Sequence, residues 1–373
     1  MSRTTVPGVW RPGDAPASRR VVRLPGGGVT LEAGGRLGPV DVAFEAWGTL
    51  DDSASNAVLV LHALSGDSHV ARTPGEPSSE PGWWDPMVGP GAPIDTDRFF
   101  VVCPNVLGGC QGTTGPSSDA PDGRPYGGRF PTVTIRDQVA VEAGLADALG
   151  IGRWAAVVGG SMGGMRALEW CVGYPDRVER AVLVAAGAAA TAEQIALCSL
   201  QVRAIRADRA FHGGDYYDTG ERPTEGMALA RGIGHVGYRT TDELQDRFGR
   251  RPQGAEDPLK GGRYAVESYL EHAGEKLADR FDPNSYIALS EAMNHHDVGR
   301  GRGGVATALA GVAARVSVAG ITTDRLYPFT LQEELGRLLP GRPAVVPIES
   351  PAGHDGFLVE TGAVGAVVRG ALA

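Results

Sequence analysis

Four short runs in the first half of the chain are apolar almost without a break. They are NAVLVLH (56–62), RFFVVC (98–103), WAAVVG (154–159) and ERAVLVAA (179–186). Each is rich in Val, Leu or Ala and is bounded by turn residues, which predicts a buried strand. A strand with no polar face needs cover on both sides, the arrangement of a parallel sheet between helices. Amphipathic stretches between the runs supply that cover. TIRDQVAVEAGLADALG (134–150) opens with a capping Thr134, carries Asp137 three positions later and stops at Gly150. Apolar runs alternating with such stretches predict an α/β fold.

The pattern breaks after about residue 189. From there to about residue 305 no strand run is visible. TAEQIALCSLQVRAIRAD (191–208) and AVESYLEHAGEKLADRF (265–281) read as helices, separated by loops rich in Gly, Pro and Asp. Strand runs return at ARVSVAG (314–320) and RPAVVPIE (342–349). The expectation is a sheet domain built from residues 1–189 and 306–373 and split by a mostly helical insertion, 190–305. No internal repeat or long low-complexity tract is present.

Composition narrows the function classes. A chain of 373 residues, 42% hydrophobic, suits one large domain or one domain with an insertion. No apolar run approaches the roughly 20 residues of a membrane span. The opening MSRTTVPGVWRPGDAPASRR lacks the apolar core of a signal peptide, so the cytoplasm is the expected compartment. A net charge of −9 argues against a nucleic-acid partner. Cys103, Cys110, Cys171 and Cys198 match no zinc spacing and read as free thiols.

The chemistry concentrates in WAAVVGGSMGGMRALEW (154–170), where Ser161 stands among Gly159, Gly160, Gly163 and Gly164. Gly159-x-Ser161-x-Gly163 fits a nucleophile elbow, a sharp strand-to-helix turn that exposes the serine oxygen. In a chain with 55 glycines the bare motif carries little weight. Its setting, an apolar strand before and a helix after, carries more, although a glycine-rich turn remains open. A serine nucleophile needs a histidine base oriented by an acid, in the chain order Ser, acid, His. After Ser161, His212, His235, His272, His295 and His296 fall within the insertion, and only His354 follows the last strand run. The preceding run leads to Asp324. The alternatives are that Asp324 caps the next helix and that His354 is an ordinary loop histidine. His295 and His296 with Asp297 raise a metal site, but adjacent histidines point apart and no further ligand cluster is visible, so no metal is expected. An oxyanion hole would use the N–H of Met162 and one from the loop after an earlier strand, with Leu64 in LVLHALSGDSHV (59–70) the candidate. NVLGGCQGTTGP (105–116) lacks the P-loop form and is expected either to shape the pocket or to form a surface turn.

HALSGDSHV, WWDPMVGPGAPIDTDRFFVVCPNVLGGCQGTTGPSS, FPTVTIRDQV, VVGGSMGGMRALEW, GITTDRLYP and GHDGFLVE together closely resemble the homoserine O-acetyltransferase family, acyltransferases of methionine biosynthesis. The resemblance runs from about residue 40 to the end and is absent from the first 20 residues. It implies an α/β-hydrolase fold with a helical lid insertion, and a homodimer built through that insertion over a tunnel-like site. It implies acetyl transfer from acetyl-CoA, a co-substrate rather than a bound cofactor, to the hydroxyl of L-homoserine. Ser161, Asp324 and His354 would be nucleophile, acid and base. Arg231 would bind substrate, Tyr238 would sit nearby in the pocket, and Asp355 would hold the homoserine amino group. Without the resemblance, Arg231 in ALARGIGHVGYRT (228–240) reads as a solvated helix charge. Two alternatives share the same triad: a succinyl donor or another acceptor such as serine, and a plain serine esterase.

Overall fold

The apolar runs form the centre of an eight-stranded sheet. The computed structural model describes residues 7–73, 75 and 79–373. Its main strands are β1 (Arg20–Arg23), β2 (Asp41–Trp47), β3 (Ala57–Leu61), β4 (Phe100–Pro104), β5 (Ala156–Gly160), β6 (Arg180–Val184), β7 (Arg315–Ile321) and β8 (Val345–Ile348). In space the order is β1-β2-β4-β3-β5-β6-β7-β8. Strands β3 to β8 run parallel, and β2 is antiparallel to both of its neighbours. All six expected strands are present. The pattern missed β1 and β2; in β2 the buried Glu45 interrupts the apolar signal.

Helices cover both faces. On one, α1 (Ile135–Ala148) and α2 (Met162–Gly173) pack Leu145 and Leu168 onto Leu59, Val157 and Leu183. Thr134 starts α1 as expected: its N–H donates to Asp137 Oδ2 at 2.8 Å, and the Asp137 N–H donates back to Thr134 Oγ1 at 3.3 Å. On the other face, Val58, Val158 and Val182 meet Phe357 and Val368, carried by α10 (Gly356–Val359) and α11 (Thr361–Leu372), while α9 (Phe329–Leu338) links β7 to β8.

Between β6 and β7 the chain is helical: α3 (Ala192–Ala207), α4 (Thr224–Tyr238), α5 (Thr241–Phe248), α6 (Ala265–Arg280), α7 (Pro283–Asn294) and α8 (Val305–Ala310). Helix α4 escapes a propensity reading because glycine weakens helices. Those glycines serve packing instead. A Cβ at Gly226 would crowd the Ala204 carbonyl of α3, and one at Gly274 of α6 would crowd the backbone of Ala228. Val202, Met227, Leu277 and Tyr286 of this layer join Leu64, Met162 and Met165 in a third core over the strand ends.

One expectation is corrected. The Gly-rich stretch 105–116 neither lines the cavity at Ser161 nor forms a surface turn. It is largely buried and supplies hydrogen-bond partners to the backbone of β2. Thr113 Oγ1 accepts from Ala43 N–H at 2.9 Å, and the Thr114 N–H donates to the Asp41 carbonyl at 2.9 Å.

Arg166 ties α2 to its surroundings. Its Nη1 meets Glu142 Oε1 of α1 at 2.7 Å with both side chains buried, and its Nη2 donates to the His62 carbonyl at the end of β3. Trp170 Nε1 donates to Glu142 Oε2 at 2.8 Å. Burial raises the Glu142 pKa against the charge of Arg166. Arg166→Met would strand that carboxylate, so the variant should lose about 3–5 kcal/mol in urea unfolding. A loss within the range of surface pairs would show that the contact is not a structural anchor.

Candidate active site

Ser161 sits between β5 and α2 at φ 56° and ψ −126°, a conformation that a residue with a Cβ adopts only when its surroundings impose it. The surroundings do impose it. The Ser161 N–H donates to the Val184 carbonyl of β6 at 3.0 Å. A Cβ at Gly159 would overlap the backbone of Gly163, and one at Gly163 would overlap the Leu61 carbonyl oxygen. The glycines therefore permit three backbones to meet at the turn, leaving the serine hydroxyl at its tip.

His354 reaches that hydroxyl from the loop after β8. Its Nε2 lies 2.8 Å from Ser161 Oγ, and its Nδ1 lies 2.6 Å from Asp324 Oδ2. Asp324 follows β7 and serves two ends: Oδ1 accepts the N–H groups of Leu326 and Tyr327, each at 2.8 Å, while Oδ2 faces the imidazole. Asp324 does not cap the next helix, which starts at Phe329 behind Pro328; its Oδ1 holds the intervening turn, and Oδ2 takes the place of the triad acid. With Nδ1–H donated to Asp324, Nε2 is free to accept the serine proton. Burial pushes the His354 pKa down, but the charge of Asp324, its hydrogen bond and the charge of Asp355 outweigh this and leave it above the ordinary 6.5. Tyr327 stacks on the imidazole, with centroids 4.9 Å apart.

These groups open into a cavity of about 550 Å³. Leu64, Arg231, Tyr238 and Asp355 line it with Ser161 and His354. The Arg231 guanidinium lies 5.4 Å from the Tyr238 ring centre and has no carboxylate partner among the described residues. Asp355, by contrast, already meets Arg239 Nη2 at 3.2 Å. Leu64 follows β3 and Met162 begins α2; neither N–H has a protein acceptor among the described residues. Both are therefore available to an oxyanion.

Sequence reasoning missed Lys276 and Arg280, two cations one turn apart on α6 that also line the cavity. The available signal was a pair of basic residues at i, i+4 in an acidic helix. His295 and His296 do point apart: His295 is exposed, and His296 is buried with Nε2 at 3.0 Å from the Gly187 carbonyl. Cys103, Cys110 and Cys171 are buried free thiols, and Cys198 is half-buried. No helix among the described residues is long and apolar enough to cross a membrane.

Comparison with known proteins places this geometry in context. Residues 56–361 match the α/β-hydrolase fold family. The chain is 56% identical over 379 aligned residues to homoserine O-acetyltransferase of Thermobifida fusca, covering all of both chains. Among solved structures, it is similar to homoserine O-acetyltransferase from Bacillus anthracis (TM-score 0.87, 28% identity, 95% of this chain and 97% of that one). It is equally similar to esterase E22 (TM-score 0.87, 30% identity, 95% and 99%).

The pH dependence follows from the imidazole. His354 accepts a proton only when neutral, so turnover of p-nitrophenyl acetate should fall as pH drops through a pKa above 6.5. Asp324→Asn removes the main influence that raises it. The acid limb should move to lower pH, and kcat should fall roughly 10⁴-fold. A limb that stays in place would separate Asp324 from His354.

Proposed function

The chain belongs to the homoserine O-acetyltransferase family of the α/β-hydrolase fold, and from that premise we propose that Ser161, His354 and Asp324 carry the acetyl group through a covalent intermediate. The protein is an acyltransferase that moves acetyl from acetyl-CoA to the hydroxyl of L-homoserine, a step of methionine biosynthesis. The observation that carries the mechanism is His354 bridging Ser161 and Asp324 in a cavity that also holds Arg231, which has no carboxylate partner among the described residues.

Ser161 Oγ attacks the thioester carbonyl as its proton passes to His354 Nε2. The oxyanion is received by the N–H groups of Leu64 and Met162. Collapse breaks the C–S bond, and the thiol of coenzyme A leaves with the proton from His354. L-Homoserine then gives its hydroxyl proton to His354 and attacks the acetyl-serine. The second tetrahedral species expels Ser161 Oγ, which recovers the proton. Arg231 suits the homoserine carboxylate because a guanidinium binds it through two parallel hydrogen bonds. Asp355, which also meets Arg239, takes the amino group, and Tyr238 closes the pocket. Lys276 and Arg280 offer positive charge along the route of an anionic CoA.

We assign residues 190–305 as a helical lid and dimerisation insertion on a core formed by 1–189 and 306–373, acting in the cytoplasm. Ile195, Leu200, Leu229 and Val236 on α3 and α4 are 38%, 52%, 59% and 50% exposed, an apolar surface suited to a second copy of the chain.

Mass spectrometry after mixing with acetyl-CoA tests the reading directly. The Ser161 peptide should gain an acetyl group that L-homoserine discharges as O-acetylhomoserine, and Ser161→Ala should abolish the adduct. A succinyl-CoA adduct instead would change the donor, and discharge by water as fast as by homoserine would make the protein an esterase. Arg231→Lys should raise the KM for L-homoserine about 10- to 100-fold with acyl-enzyme formation intact. Paired Leu229→Asp and Val236→Asp substitutions should shift the protein to monomer in analytical ultracentrifugation. An unchanged dimer would move the interface elsewhere.

A further inference from the structure

The oxyanion loop contains a buried histidine with no part in proton transfer. His62 follows β3 directly, is 1% exposed and lies just before the Ala63–Leu64 peptide. Its ring touches two backbone groups. The Val106 N–H donates to His62 Nε2 at 3.1 Å, and Nδ1 lies 2.7 Å from the Ala63 carbonyl oxygen. A backbone N–H can only donate, so Nε2 accepts and the ring proton resides on Nδ1, which donates to Ala63. The ring is then neutral. Burial first, and the charge of Arg166 second, hold its pKa well below the ordinary histidine value and keep that tautomer.

The consequence lies in the next bond. A trans peptide is planar, and its C=O and N–H point in opposite directions. The carbonyl of the Ala63–Leu64 peptide is drawn toward His62 Nδ1 and is also met by the Gly66 N–H at 3.0 Å. The Leu64 N–H therefore faces the other way, and it has no protein acceptor among the described residues. Leu64 lines the same cavity as Ser161. The His62 carbonyl is itself held by Arg166 Nη2, which fixes the ring's own backbone to α2.

We propose that His62 is a positioning residue for the oxyanion hole, its Nδ1–H holding the Ala63–Leu64 peptide so that the Leu64 N–H is presented to the tetrahedral oxygen before substrate arrives. The inference rests on Ser161 as nucleophile but not on the identity of the acceptor.

Two amide substitutions separate the two ring nitrogens. His62→Asn places an amide N–H near the Nδ1 position and loses the acceptor for Val106. His62→Gln places its amide near the Nε2 position and loses the donor to Ala63. Acetylation by p-nitrophenyl acetate reads the serine step alone, whatever the natural acceptor. His62→Gln should lower the acylation rate about 10- to 100-fold, and His62→Asn should recover about tenfold of it. Affinity for a trifluoromethyl ketone, which adds to serine as a tetrahedral oxyanion, should fall in parallel, while the KM for L-homoserine stays unchanged. Thermal midpoints are measured alongside. Rates that follow the midpoints rather than the position of the donor would overturn the proposal, as would unaltered ketone affinity in His62→Gln. Ser161→Ala is the control: acetylation that persists in it would refute the serine reading itself.

Discussion

The fold turns on the close approach of three backbones at Ser161. Strand β5 delivers the serine, β6 accepts its N–H through Val184, and the first turn of α2 lies against the end of β3 at Leu61. No side chain fits between these segments, which is why Gly159 and Gly163 flank the serine. A positive φ at a residue with a Cβ costs on the order of 1–3 kcal/mol. The surrounding parallel strands, fully buried on both faces, hold the turn in place. Arg166 and Glu142 add a fixed electrostatic anchor under the same helix. Without that convergence the hydroxyl would not stand clear of the sheet, and neither His354 nor the oxyanion donors would have a common target.

Charge is arranged against the global trend. The chain carries a net −9, yet Arg231, Lys276 and Arg280 line the cavity. Its carboxylates are already engaged: Asp67 meets Arg19 at 3.6 Å, and Asp355 meets Arg239 at 3.2 Å. The positive charge that has no ion partner among the described residues is what an anionic donor and an amino-acid carboxylate would meet inside, because low-dielectric walls focus the local field more than distant surface charge does.

What the sequence made legible tracks how locally each feature is encoded. The six central strands and α1 announce themselves because burial and capping are written in adjacent residues, as at Thr134 and Asp137. The triad order was readable because each member follows a strand. Strand β2 was hidden because Glu45, polar yet buried, is satisfied by Ser68 at 2.8 Å and His69 at 2.8 Å from a distant loop. Helix α4 was hidden because its glycines weaken local propensity; Gly226 permits close packing on α3, while Gly274 of α6 admits the α4 backbone at Ala228. The 105–116 loop was misread because its partners, Asp41 and Ala43, lie far away in sequence. Arg231, Tyr238 and Asp355 came from resemblance, since nothing local distinguishes a substrate ligand from a solvated charge.

The same scaffold supports an esterase and an acetyltransferase at equal structural similarity. A serine triad with oxyanion donors would serve both reactions, since each forms and discharges an acyl-serine ester by way of tetrahedral oxyanions. The difference must therefore lie in what reaches the acyl group second. Water is always more abundant than homoserine, so a transferase needs an acceptor held in place and a cavity that admits little else. The helical layer is placed to serve both needs. Val202, Met227 and Tyr286 roof the serine turn with apolar surface, and α4 carries Arg231 within that roof. A guanidinium on the helical layer, rather than on the sheet, would place acceptor binding in that layer. On the proposed acceptor site, selection between water and homoserine would be a property of the insertion rather than of the core beneath it.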